Sequence, residues 1–199
     1  MRVSVKLNLE SIGRKASSAA AIKGLPIAQR RVFDAFKRAK DAMLREFDKH
    51  PVTLELRKGA RAVPITDATD GYGNLFAFIG FDSGSKPTKP LRSLLDSSNI
   101  RQTASRKGVY YFRYGLPKTK EIEDASPMPW EEGNSWVTEL ENGTMSNLSH
   151  FLYKNFTKSE FSHSKWGIQT PWEIEERSFN KTPYLTEILE NFRERVNNI

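Results

Sequence analysis

The chain has 199 residues, of which 38% are hydrophobic, so it is long enough for one domain but its core must be modest. It contains no cysteine, which excludes disulfide bonds and thiolate metal sites. No apolar run approaches the roughly 20 residues of a membrane-spanning helix, and residues 1–10 lack the apolar centre of a signal peptide. We therefore do not expect an integral membrane protein.

The net charge of +7 is distributed unevenly along the chain. Residues 1–50 hold twelve Lys or Arg and five Asp or Glu, whereas residues 86–120 hold nine basic residues and a single acidic one, Asp96. Residues 121–142 hold seven acidic residues and no basic one. Such blocks usually belong to solvated loops. The alternative is one positive and one negative surface, as a chain that binds copies of itself head-to-tail requires.

Hydrophobic periodicity predicts the elements of the N-terminal half. Alternating Val and Leu predict a half-buried strand over residues 3–9. Residues 27–50 carry an apolar stripe at three- and four-residue steps, with a basic opposite face. This pattern predicts a long amphipathic helix, with Pro26 in its first turn and Pro51 just past its end. Alternation over residues 52–56 predicts a second strand.

The middle of the chain is predicted to contain a hairpin. Residues 67–74 (DATDGYGN) are rich in Asp, Gly and Asn, which favour a turn. The apolar run at 75–81 predicts a strand buried on both faces. Further along, residues 91–95 fit a short helical turn, and the β-branched and aromatic residues at 109–114 predict another strand.

The last third combines an irregular region with a clear helix. Residues 118–134 are polar and acidic, which indicates a long excursion, and residues 135–140 predict a strand. The aromatic residues of 144–176 have no clean period, so we interpret this segment as an insertion. At the C-terminus, Thr182 is predicted to cap a closing helix, with Pro183 in its first position.

Together these elements predict an α+β fold. We expect a small, mostly antiparallel sheet packed on one long amphipathic helix, with a C-terminal helix and a largely irregular insertion. We also expect a single domain over residues 1–199, with the insertion at about 118–176.

No catalytic motif is recognisable in the sequence. The three histidines, His50, His150 and His163, are far apart and form no metal-binding pair, and the glycines and serines match no phosphate-binding or nucleophile motif. Neighbouring acids such as Glu131 and Glu132 could pair as catalytic carboxylates, but a charged loop explains them more simply. We therefore predict no enzymatic activity, no cofactor and no metal; a hydrolase built from scattered acids and histidines is the weakest alternative.

A basic block carries the strongest functional suggestion; its members are Lys86, Lys89, Arg92, Arg101, Arg106 and Lys107. Arg106 and Lys107 precede the aromatic residues Tyr110, Tyr111 and Phe112, and basic residues beside aromatic ones are typical of single-stranded nucleic-acid binders. A subunit-interface strand with a charged rim would have the same pattern. Because no helix-turn-helix or RNA-binding motif is present, any contact with nucleic acid should be to its backbone.

The order of these motifs resembles a known family. A strand (VSVKLNL) leads to a long basic helix, then to GNLFAFIGF, to SWVTELENG and to a closing TPYLTEILENF segment. This order is similar to that of the small tail-completion or head–tail joining (neck) proteins of tailed bacteriophages. In that family, a strand ending in an acidic residue and glycine corresponds to WVTELENG here. The final helix corresponds to Pro183, Tyr184, Leu185 and Leu189.

The resemblance implies a structural virion protein, made in the host cytoplasm, in the ring that joins the DNA-filled head to the tail. A tail-terminator or connector role is possible within it. Its partners would be copies of itself, neighbouring neck, connector or tail-tube proteins, and the backbone of DNA in the lumen. The basic block would face that DNA or meet an acidic set on the adjacent copy: Glu121, Glu123, Asp124, Glu131, Glu132, Glu139 and Glu141. The alternative is a stand-alone nucleic-acid-binding module without sequence preference.

Overall fold

The computed structural model describes residues 2–8, 18–69, 74–106, 109–129, 132–144 and 180–198. These residues form an α+β fold, as predicted, with seven α-helices and a three-stranded sheet. The elements are β1 (Arg2–Asn8), α1 (Ser18–Lys49), α2 (Pro51–Lys58), α3 (Leu75–Ile79), α4 (Thr88–Asp96), β2 (Asn99–Arg106), β3 (Val109–Gly115), α5 (Thr119–Asp124), α6 (Trp136–Asn142) and α7 (Leu185–Asn197). Two short 3₁₀ helices, Gly59–Arg61 and Asp67–Thr69, lie between α2 and α3.

Helix α1 is the long amphipathic helix that the sequence predicts. Val32, Phe36, Met43 and Phe47 are buried at steps of four and seven residues, which places them on one stripe. The helix has 32 residues and is therefore roughly 48 Å long. It begins well before Pro26, so the prediction that this proline occupies the first turn is wrong.

The chain turns at His50 and starts a second helix where a strand was predicted. His50 has an extended backbone, with φ −61° and ψ 136°, and Pro51 is the first residue of α2. The predicted strand over residues 52–56 is wrong. Val52 and Leu56 are buried four residues apart, a spacing that fits a helix and an alternating strand equally well. The proline at the first helical position, which favours a helix start, resolves the ambiguity.

The apolar run at 75–81 is helix α3 and not a strand, so the predicted hairpin is also wrong. The Asn74 side chain accepts a hydrogen bond of 2.9 Å from the Ala77 N–H and caps the helix. Gly80 ends it in the left-handed conformation, with φ 86°. The prediction of burial was correct, because Phe76 and Ile79 are both almost fully buried. A short apolar run does not by itself distinguish a buried strand from a buried helix.

Residues 136–142 likewise form a helix, α6, so the strand predicted over residues 135–140 is wrong. The Ser135 hydroxyl accepts a hydrogen bond from the Thr138 N–H, and Gly143 ends the helix with φ 72°. Trp136 and Leu140 are buried four residues apart on the same side. The local signals were therefore those of a helix with a Ser cap at its start and Gly at its end.

The sheet has the order β1-β3-β2, with both pairs of strands antiparallel. The predicted strands at 3–9 and 109–114 are confirmed as β1 and β3, whereas β2 was not predicted. One face of β3 packs on α1: the ring centroids of Phe112 and Phe33 are 5.9 Å apart, and those of Tyr114 and Phe36 are 6.3 Å apart. The sheet therefore packs on the long helix, as expected.

The closing helix α7 packs against both α1 and the sheet. The Phe192 ring lies 5.6 Å from that of Phe36 and 6.0 Å from that of Tyr114, measured between centroids. The helix starts at Leu185, so the predicted cap by Thr182 is wrong. The helical turn predicted at 91–95 is confirmed as part of α4. In the region predicted to be irregular, α5 and α6 are helical, and residues 145–179 lie outside the described residues.

The aromatic contact of α7 with α1 and β3 predicts a large packing effect. Replacing the fully buried Phe192 with alanine should lower the free energy of unfolding by about 3–5 kcal/mol, because a cavity forms where three elements meet. Urea denaturation would measure this loss. The matched control is Phe33→Ala on α1, whose residue is 40% exposed and which should cost about 1 kcal/mol. Equal losses for the two variants would contradict this account of the core.

Candidate docking surface

The residues of the predicted basic block have different surroundings. Lys86 lies in the exposed loop before α4 and Lys89 in the exposed first turn of that helix; neither has an ion pair with any described residue. Arg101 is exposed on β2. Arg106 ends the same strand, and its backbone pairs with Val109. Lys107 lies outside the described residues.

Arg92 is already paired within its own chain. Its Nε lies 3.0 Å from Asp48 Oδ1 and its Nη2 lies 3.2 Å from Asp48 Oδ2, a two-pronged ion pair between α4 and α1. Burial alone would raise the pKa of Asp48, but hydrogen bonds from Arg92 and Arg57 outweigh it and hold that pKa below its ordinary value. The guanidinium of Arg92 therefore holds α4 against the end of α1.

Three residues of the predicted acidic set bind groups of their own chain. Glu141 accepts hydrogen bonds from the N–H of Tyr184 at 3.2 Å and from the N–H and hydroxyl of Thr186 at 2.8 and 2.7 Å. It thereby supplies the cap of α7 that the sequence assigned to Thr182. Glu121 accepts a hydrogen bond from a backbone N–H at the start of its own helix, α5, and Glu139 accepts one from the hydroxyl of the Thr144 side chain.

The other described residues of the predicted acidic set make no such contacts within the chain. Asp124 and Glu132 are exposed, Glu123 is half-buried, and none of the three has a side-chain hydrogen bond or ion pair with a described residue. Glu131 lies outside the described residues. Helix α4 of the basic block packs directly on α5 of the acidic block. The two blocks are therefore neighbours within one chain.

Glu55 is a buried carboxylate to which the sequence analysis gave no role. One of its oxygens accepts hydrogen bonds from the N–H of Ile65 and from the N–H and hydroxyl of Thr66, at 2.9–3.0 Å. The other accepts a hydrogen bond of 2.5 Å from the Leu75 N–H. Residue 55 is completely buried, so these donors replace the water that its charge would otherwise need. No sequence signal marked it, because its partners lie ten to twenty residues away.

The loop that Glu55 holds exposes apolar side chains. We call residues 62–65 the Val63 loop. Val63 is 72% exposed and Ile65 is 46% exposed, and Leu54, which precedes Glu55 on α2, is also exposed. Because Glu55 fixes the backbone at Ile65, the backbone of this residue cannot turn inwards without breaking a partly buried hydrogen bond to a carboxylate. Two exposed apolar side chains two residues apart on an anchored backbone make this loop the candidate docking surface.

A groove of about 360 Å³ lies between the ends of α1 and α7. Its lining includes Arg45, Lys49, His50 and Glu187. At its edge, the His50 Nδ1 accepts a hydrogen bond of 3.3 Å from the Val52 N–H and so caps α2. Burial lowers the pKa of His50 below its ordinary value of 6.5, although Glu187, Glu141 and the backbone of Pro183 act in the opposite direction.

Next to His50, the Tyr184 ring is fully buried where α1, α2 and the start of α7 meet. Its centroid lies 4.8 Å from that of His50 and 5.8 Å from that of Phe47. Its hydroxyl shares a hydrogen bond of 2.7 Å with the Thr53 hydroxyl, and burial raises its pKa above the ordinary value. The hydroxyl therefore stays protonated and joins α2 to the start of α7.

The described part of the chain contains no group of three or more His, Asp or Glu residues that could hold a metal ion. Nor is any helix in that part both long enough and apolar enough to cross a membrane. A scan against protein-family models, a search of curated proteins and a search of solved structures all gave no match.

The environment of Glu55 predicts a strong dependence of folding on its charge. Glu55→Gln should lower the free energy of unfolding by about 2–4 kcal/mol, because four donors lose a charged acceptor and an amide N–H₂ must face them. Urea denaturation would measure the change. Glu121→Gln on the exposed start of α5 is the matched control and should cost less than about 1 kcal/mol. A Glu55→Gln protein as stable as the wild type would contradict the assigned role.

The environment of His50 predicts a pH dependence of stability. Its folded pKa lies below 6.5, so as pH falls below 6.5 the unfolded chain takes up a proton before the folded chain does. This contribution to stability is therefore complete above pH 6.5 and is lost as pH falls through the folded pKa. In His50→Asn, asparagine can still cap α2, so the urea midpoint should fall less between pH 7.5 and 5.0 than in the wild type. Equal falls would contradict the prediction.

Proposed function

We propose that this chain is a structural protein of a tailed-phage virion that works by docking against other protein subunits. Its place would be the neck or tail-completion ring that joins the DNA-filled head to the tail. The motif order of the sequence supports the family, although WVTELENG is helix α6 here where that family has a strand, and the Val63 loop is the observation that carries the docking role. A tail-terminator or connector position falls within the same proposal.

The Val63 loop supports docking for energetic reasons. Val63 and Ile65 are exposed at a cost in the isolated chain, and fully burying one such side chain contributes about 1.5–3 kcal/mol. Because Glu55 already fixes the loop backbone, little conformational entropy is lost when a partner covers it. An apolar loop that is fixed before binding suits a permanent interface between subunits.

The unpaired charges fit the rim of such an interface. Lys86 and Lys89 on the basic side, and Asp124 and Glu132 on the acidic side, are exposed and free of ion pairs with described residues. In a ring, one surface of each subunit meets a different surface of the next, and complementary charges set their register. Arg92 and Glu141 are assigned to the fold in this proposal, because both are engaged within the chain.

The proposed partners are copies of this chain and the neck, connector or tail-tube proteins above and below it. The proposed location is the virion. No bond-making or bond-breaking step belongs to this function. A second candidate function, nucleic-acid binding, is favoured by the charge of the sheet, whose three strands contain no acidic residue.

The docking role predicts that a charged loop prevents assembly. The double variant Val63→Asp, Ile65→Asp should remain a monomer under conditions in which the wild type forms a defined oligomer, alone or with tail tubes, because carboxylates would be buried in the interface. Light scattering after gel filtration would measure the mass.

The matched control is Ile27→Asp, which changes a residue that is 58% exposed on α1, away from the loop, and should assemble normally. Circular dichroism would show whether each variant is folded. A wild type that stays monomeric both alone and with tail tubes would refute the proposal, as would normal assembly of the loop variant.

A further inference from the structure

We infer that the outer face of the sheet binds single-stranded nucleic acid, with Arg101 and Arg113 on its phosphates and Tyr111 on a base. The outer face is the side of the sheet that is turned away from α1. This inference goes beyond the proposed docking function and does not depend on ring assembly. It is drawn from the register of the strands and from the charges that they carry.

The alternation along β3 identifies the two faces. Phe112 and Tyr114 are buried and pack on α1 and α7, so they belong to the inner face. Because neighbouring residues of a strand point to opposite sides, Tyr111 and Arg113 belong to the outer face. Both are half-exposed, which is compatible with a surface open to a ligand.

Two arginines stand directly opposite each other on this face. Arg101 of β2 pairs with Arg113 of β3 in the antiparallel register, so their side chains share one side of the sheet. Like charges in this position repel each other, and neither arginine has an ion pair with a described residue. The Nε of Arg113 is buried and has no hydrogen-bond partner. A bound anion would relieve the repulsion and accept hydrogen bonds from the terminal nitrogens of the two guanidinium groups, whereas the buried Nε is out of its reach.

All charged residues of the three strands are basic. Its three strands, RVSVKLN, NIRQTASR and VYYFRYG, contain five basic residues and no acidic one. Three strands spaced about 4.8 Å apart give a strip roughly 10 Å across. A narrow basic strip of this kind suits one extended polyanionic strand.

Tyr111 distinguishes nucleic acid from other polyanions. It lies two residues from Arg113 on the same face, so a base could stack on its ring while the arginines bind the adjacent phosphates. At this position β2 has a bulge between Gln102 and Ala104, and the hydroxyl of the intervening Thr103 donates a hydrogen bond of 3.3 Å to the Tyr111 carbonyl. The bulge fixes the backbone that carries the ring.

The acidic residues of a second copy are the less suitable occupant. Glu121, Glu139 and Glu141 of the acidic set already accept hydrogen bonds within their own chain, and the unpaired Asp124 and Glu132 are assigned above to the rim of the docking interface. A carboxylate would also leave the Tyr111 ring without a stacking partner. Nucleic acid satisfies both the arginines and the aromatic ring.

The test measures binding of a fluorescein-labelled 20-nucleotide single-stranded DNA to the full chain by anisotropy, at 50 and 200 mM salt. Arg101→Gln, Arg113→Gln should weaken binding at least about tenfold at 50 mM salt. It should also reduce the slope of log affinity against log salt by about 1.4, since each lost phosphate contact in a single strand contributes about 0.7. Tyr111→Leu should weaken binding by roughly 5- to 150-fold, and Tyr111→Phe should bind as tightly as the wild type.

The matched control is Lys37→Gln, Lys120→Gln, which removes the same charge from exposed residues of α1 and α5, outside the sheet, and should preserve affinity. Circular dichroism and thermal melting would confirm that each variant is folded. The inference is overturned if the wild type does not bind the oligonucleotide at 50 mM salt. It is also overturned if the lysine variant loses as much affinity as the arginine variant, or if Tyr111→Leu binds normally.

Light scattering separates this inference from the docking proposal. The arginine variant should keep the oligomeric state of the wild type while losing the oligonucleotide; loss of assembly instead would identify the face as a contact between copies and overturn the inference. If the Val63 loop variants fail to affect assembly, the docking proposal fails, but loss of oligonucleotide binding by the arginine variant still supports the sheet site.

Discussion

The apolar stripe of α1 is the constraint on which the described structure depends. A helix of this length is stable only if its apolar side is covered, and α7 and the sheet cover it together. Phe36, Tyr114 and Phe192 form the point at which helix, strand and closing helix meet in edge-to-face and tilted ring contacts. Because the sheet and α7 both pack on α1, the N-terminal and C-terminal parts of the chain share one hydrophobic core.

Charged side chains attach the shorter elements to this frame. Arg92 and Asp48 join α4 to α1, Glu55 holds the segment that leads into α3, and Glu141 caps α7. Each carboxylate receives several donors, so its desolvation is compensated where it is buried. A charged residue that the sequence suggests as a contact for a partner can thus be engaged within its own chain instead. Only the structure shows which of these two roles the residue has.

Elements with one buried face could be predicted from the sequence. Elements with only a short sequence pattern, or whose structure depends on residues far away in the chain, could not. Helix α1 has enough residues to define a period, and β3 is rich in aromatics. The run from Leu75 to Ile79 is apolar on all sides, so it has no period that distinguishes a helix from a strand, and Asn74 fits a turn as well as a helix cap. Strand β2 (NIRQTASR) is a polar edge strand that depends on pairing with β3. The role of Glu55 needed tertiary contacts, as did that of Glu141 in place of Thr182.

The distribution of unpaired groups explains how one small chain could serve two kinds of partner. The Val63 loop is apolar and follows α2, whereas the basic face belongs to the three-stranded sheet. Since α4 and α5 are packed together, their opposite charges partly neutralise each other within the chain. Arg101 and Arg113 of the sheet have no ion pair with a described residue, so no such pair compensates their positive charge. A polyanion would therefore be drawn to the sheet and a protein partner to the loop, and neither contact would need to displace the other.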